Sequence, residues 1–177
     1  MTYKIPKNLL SKGSTNSKTA KNEQDTYILY LAPYNQNSKK INICPKASKG
    51  CAAACLFTAG RGAFSNVIKA RQNKTEYYLQ DKKAFINQLV SELIKIDKKA
   101  SKNNKQTLIR LNGTSDLDFI FLLKKYAGFD ISNYKNLHFY DYTKILGKVK
   151  KYSSNKNYTL TFSRAEDNEQ DIFQAVK

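Results

Sequence analysis

Thr107-Leu108-Ile109-Arg110-Leu111-Asn112-Gly113-Thr114-Ser115-Asp116 joins an apolar, β-type run to an abrupt polar ending. The change occurs twice more. Leu137-His138-Phe139-Tyr140 leads into Asp141-Tyr142-Thr143-Lys144, and Tyr158-Thr159-Leu160-Thr161-Phe162 leads into Ser163-Arg164-Ala165-Glu166. Helical segments over 117–126 and 142–150 separate the three runs, so strand and helix alternate as in a parallel α/β fold. The predicted architecture is α/β, a partial (βα) barrel or barrel-like parallel sheet. In such folds ligands bind at the carboxyl ends of the strands, which places the three polar clusters on one rim.

Outward from these runs, Tyr27-Ile28-Leu29-Tyr30-Leu31-Ala32 is an earlier strand ended by Pro33. Lys40 to Ile43 is a short extended lead into Cys44. Phe64 to Tyr78 is helical, and from Asp81 the residues Phe85, Leu89, Leu93 and Ile96 recur at helical spacing over about 19 residues, giving a helix that faces the core. Lys98 to Gln106 is a solvated connector, and Asp167 to Lys177 begins a last helix. Residues 1–25 form a polar arm, either free or ordered onto a single domain spanning 26–177. Within it Gly13, Asn16, Lys18 and Thr19 resemble an anion-binding loop only loosely, because their spacing is not that of a phosphate-binding loop.

The chain has 177 residues and a formal charge of +17. That length suits one domain and falls short of the about 250 residues of a complete eight-stranded α/β barrel. The charge favours nucleic acid or a nucleotide as partner. The excess comes from 27 Lys against 4 Arg in an Asn-, Ile- and Tyr-rich chain, a usage that an AT-rich genome produces without selection for binding. No apolar run approaches the roughly 18 residues of a membrane span and no signal peptide is evident, so a cytoplasmic protein is expected.

All three cysteines, Cys44, Cys51 and Cys55, fall within twelve residues. In a reducing compartment such clustering points to metal ligation, redox chemistry or burial rather than a disulfide framework. Pro45 keeps Cys44 out of a helix, and a helix starting near Cys51 puts Cys51 and Cys55 on one face. Three thiolates suit zinc with an open fourth position or a [4Fe–4S] cluster with one open iron. His138, the single histidine, is a candidate fourth zinc ligand with a plain mid-strand role as its alternative.

For the strand ends the expected catalytic groups are Asp116, Asp141 and Lys144. Arg110, Asn112, Ser115, Ser163, Arg164 and Arg61 are the expected substrate-binding groups. Ser115 or Asp116 also suits a helix N-cap, and Asp141 with Lys144 suits a simple helix start. Arg110 needs a polar centre or a carboxylate partner, for which Asp116 and Asp141 are the candidates. Ser163 and Arg164 suit an anion.

The segments GSTNSKTAK, YLAPYN, ICPKASKGCAAACLFTAGRG, RLNGTSD, FYDYTK and NYTLTFSRAE together resemble the gene product 88 family of phages and mobile elements. The resemblance runs from about Gly13 to Asn168. More loosely, the cysteine segment is similar to radical S-adenosylmethionine-type proteins, which implies an Fe–S cluster with S-adenosylmethionine on its open iron. The chain departs from that pattern, with three residues between Cys51 and Cys55. Two functions are expected: a metal- or Fe–S-dependent enzyme acting on a nucleotide or nucleic acid, or a zinc-stabilised basic protein that binds nucleic acid or inhibits a host protein.

Overall fold

A computed structural model describes residues 3–13, 24–55 and 60–175. Asn16, Lys18 and Thr19 of the anion-loop reading lie outside them. The described residues form a five-stranded sheet in the order β1-β2-β3-β4-β5, made by Leu10–Lys12, Thr26–Leu29, Thr107–Arg110, Leu137–Thr143 and Tyr158–Phe162. β1 runs antiparallel to β2, and β2 through β5 are parallel. β1 and β5 lie at opposite edges, so among the described residues the sheet stays open and no barrel closes. The three repeated runs are β3, β4 and β5, as the alternation predicts.

The helices are α1 (Lys49–Ala53), α2 (Ser65–Gln80), α3 (Lys82–Lys102), α4 (Phe119–Ala127), α5 (Leu146–Tyr152) and α6 (Glu169–Ala175). Asp81 caps α3 by accepting the Ala84 amide, and the predicted stripe of Phe85, Leu89, Leu93 and Ile96 is buried. It packs with Leu29, Ile109, Leu137 and Phe139 of the sheet and with Phe119 and Leu123 of α4. Parallel strands laid down in sequence order by right-handed crossovers keep their connecting helices on one face. That face is the core.

Alternation sends the remaining strand residues to the other face. Ser11 pairs with Ile28, Ile28 with Arg110, and Tyr140 with Thr159 in one row, once the β3–β4 register is continued from Ile109 and Phe139. Thr159 and Thr161 are exposed there, and Tyr142 is 49% exposed. A polar, aromatic face is thus turned away from the core.

Several local expectations are corrected. Residues 40–43 form no strand, and α3 runs to Lys102, shortening the lysine-rich connector. β4 continues through Thr143, so Asp141 lies inside a strand and the helix begins only at Leu146. α4 is capped by Asp118, which accepts the Phe121 amide, rather than by Ser115 or Asp116. In the N-terminal segment Leu9 and Leu10 are buried, and Glu92 of α3 accepts both their amides at 2.7 and 2.9 Å. No helix among the described residues is long and apolar enough to cross a membrane.

Candidate functional site

Asn112 follows β3 with both ends of its side chain in use. Its backbone and side-chain N–H groups donate to Asp141 at 2.9 and 3.1 Å, while its carbonyl oxygen accepts from Ser115 and Leu117. Gly113 must be glycine, because a Cβ there would sit 2.6 Å from the Tyr30 ring and 2.8 Å from the Leu29 carbonyl. The loop is bonded on every side. Gly113 donates to Leu29, the Thr114 hydroxyl to Leu31, and the Asp116 amide to Ile43.

Asp116 is saturated as well. Its carboxylate accepts from Thr143 Oγ1 at 2.8 Å, from the Lys144 amide at 3.0 Å and from Lys148 Nζ at 2.8 Å. Lys148 is 5% exposed and also donates to the Leu117 carbonyl. A buried lysine needs such partners, and this one clamps α5 to the loop after β3. Sequence reasoning missed Lys148; its only signal was a lysine one turn into a short helix whose other face is apolar.

Asp141 is 3% exposed. Burial pushes its pKa up to about 6 against the Asn112 hydrogen bonds and the charges of Lys148 and Arg110. Arg110 Nε lies 3.9 Å from the carboxylate, beyond hydrogen-bonding distance, and is a buried N–H with no acceptor among the described residues. Its guanidinium carbon stands 4.9 Å from the centre of the Tyr142 ring. The arginine in the strand thus has both a carboxylate and an aromatic neighbour.

These groups border a cleft of about 1280 Å³ over the strand ends and the open face of the sheet. Lys46, Arg61, Arg71, Lys74, Arg110 and Lys144 line it, and Asp116 is the one carboxylate on its lining among the described residues. The middle of α2 supplies Arg71 and Lys74, while the next turn of the same helix buries Tyr77 and Tyr78 in the core. Burial lowers the pKa of both cations, so the cleft holds positive charge at some electrostatic cost. Arg71 stands over the Tyr30 ring at 4.8 Å. Burial raises the Tyr140 pKa, with Arg110 opposing and Tyr30, Asp141 and Tyr142 adding to it, which marks these groups as one cluster.

Ser163 lines the cleft with Lys144, whose Nζ donates to its hydroxyl at 3.3 Å. Ser115 and Arg61 also reach the lining. Arg164 does not: it is exposed, 4.0 Å from Glu169. His138 shares a hydrogen bond with Thr159 at 2.8 Å on the open face, the plain mid-strand role.

The cysteines share the cleft but do not converge. Among the described residues no group of three or more His, Cys, Asp and Glu side chains is placed to hold a metal ion. Cys51 is exposed on α1, whose N-cap is Ser48, and Cys55 lies past its end. The Cys44 thiol donates to the Thr114 carbonyl at 3.7 Å, and burial pushes its pKa up to about 11. The described residues thus do not assemble a ligand set for the predicted zinc or Fe–S centre.

Fold and cleft together define an α/β protein with an open, mostly parallel sheet and a basic, tyrosine-rich cleft over its strand ends. The chain belongs to the Gene product 88 family, whose sequence model matches residues 8–176. Comparisons with curated proteins and with solved structures returned no match.

Proposed function

We propose that this is a phage or mobile-element protein that binds nucleic acid or a nucleotide in the cleft at the strand ends. The observation that carries the reading is the charge of the lining: among the described residues six cationic side chains face one carboxylate, and that carboxylate is already paired with Lys148. A phosphate entering the cleft would meet Arg61, Arg71 and Lys144, and its negative charge would offset the desolvation that disfavours the charged form of Arg71. Asp116 and Asp141, the acids first expected to do chemistry, are committed to holding the loop after β3 to β4 and α5. Binding is therefore favoured over acid–base catalysis by these two groups.

The test is titration of a labelled oligonucleotide at 50 and 200 mM salt. Affinity should fall steeply with salt as the lining cations release counterions, with a slope that shrinks in Arg61→Gln and Lys46→Gln. Absence of binding at 50 mM salt would end the reading.

A further inference from the structure

The cleft continues past its cationic wall onto the open face of the sheet. Tyr30 follows β2, Arg110 closes β3, Tyr140 and Tyr142 lie on β4, and Thr159 and Thr161 face solvent on β5. Across a parallel sheet these four strands span about 14 Å, several times the about 3.4 Å base-to-base rise of one strand of a duplex. The cleft volume of about 1280 Å³ also exceeds the about 300–1,000 Å³ of ordinary small-molecule sites. Guanidinium groups flank two of the rings, Arg71 at Tyr30 and Arg110 at Tyr142, and Tyr142 remains half exposed.

Resting on the proposed reading of the cleft, we propose that its occupant is an unpaired nucleic-acid strand, with phosphates against the Arg61–Arg71 wall and bases stacked on Tyr142 and Tyr140. In a duplex each base face is covered by the neighbouring base pair in the stack, so the faces that such rings take are hidden and duplex is the wrong shape for the floor of the cleft. Stacking on aromatic rings tolerates any sequence, because every base has a π-face. Charge alone would hold single and double strands alike; the tyrosines supply the discrimination.

The experiment measures fluorescence anisotropy of a labelled 12-nucleotide DNA strand, the same strand as RNA, the corresponding blunt DNA duplex and a labelled mononucleotide, with wild type, Tyr142→Ala and Tyr142→Phe. Wild type should prefer either single strand to duplex and mononucleotide. Tyr142→Ala should lose about 5- to 150-fold of the single-strand affinity, while Tyr142→Phe keeps it and the salt slope is unchanged. The DNA and RNA arms identify the source of the strand. Equal affinity for duplex, preference for the mononucleotide, or a Tyr142→Ala protein that binds like wild type overturns the stacking proposal and leaves the basic cleft standing. Binding to none of the four probes overturns the reading of the cleft itself. Tyr142 is half exposed, so its removal leaves the core intact, and an unchanged melting temperature checks this.

Discussion

Residues 112–116 and residues 44–55 face the same cleft, and their groups are held very differently. In the first, Asn112 and Ser115 are buried and backbone or side-chain bonds reach β2, β4 and the segment before Cys44. In the second, α1 has five residues, none buried, and Cys51 is exposed. Its chief tether is Glu166, which accepts the Gly50 amide at 2.7 Å and the Ser48 hydroxyl at 2.8 Å from the far edge of the sheet. Both stretches carry chemically capable side chains at distinctive spacing. The first spends nearly all of them on holding the fold together, the second chiefly Cys44 and Ser48, so a specific polar motif can mark a keystone as readily as a reaction centre.

The contrast can be broken hardest at Asp141. Asp141→Ala leaves the Asn112 donors and Arg110 without their carboxylate and should cost about 3–5 kcal/mol in urea unfolding; a cost under 1 kcal/mol would mean the buried loop is not the keystone. Gly113→Ala should follow at about 1–3 kcal/mol, because the new methyl meets a backbone carbonyl that cannot step aside.

A pH effect comes next. The folded pKa of Asp141, about 6, lies above its ordinary 3.8. Between these values the folded protein binds the proton that the unfolded chain has lost, so this group's contribution is greatest below the lower value and declines as pH rises through the higher one. The stability of wild type minus Asp141→Asn should therefore fall between about pH 4 and pH 6. A difference that rises over this range would contradict the burial of Asp141.

The smaller effects belong to the cysteine segment. In anaerobically purified protein, Cys51 should react with a thiol reagent before Cys44, which is partly buried and holds its proton firmly. Protection of all three thiols together, with stoichiometric zinc or iron, would show that α1 rearranges around a metal. Finally, Glu166→Ala should leave the melting temperature nearly unchanged while speeding hydrogen exchange at Gly50 and Cys51. A large loss of stability there would erase the difference between the two stretches.

Much of the fold was legible because strand and helix periods are local. The stripe from Phe85 to Ile96 and the three repeated runs announced α3 and β3 to β5 directly. Closure was not legible, since pairing at a sheet edge leaves no mark on a strand's own sequence. At the site, Arg110, Ser163 and Lys144 line the cleft because residues at strand ends share a rim in a parallel sheet, and Arg61 reaches it from the turn before α2. Asp116 and Asp141 were also located, but their commitment was hidden: whether a carboxylate is free depends on donors such as Lys148 and Asn112 that tertiary packing brings in. The placement of the cysteines was hidden for a related reason. Spacing gives the reach of three thiols, whereas convergence depends on where a five-residue helix is anchored.

The strand order carries a consequence for how the molecule assembles. β3, β4 and β5 are joined by short crossovers, whereas the bond from Thr114 to Leu31 spans 83 residues. Closing that long loop costs more chain entropy than closing the others and is rewarded only once α2 and α3 are formed. The three C-terminal strands should gather first, with β1 and β2 docking onto β3 late. Because the cleft lies along that seam, it should come into being only in the final folding step.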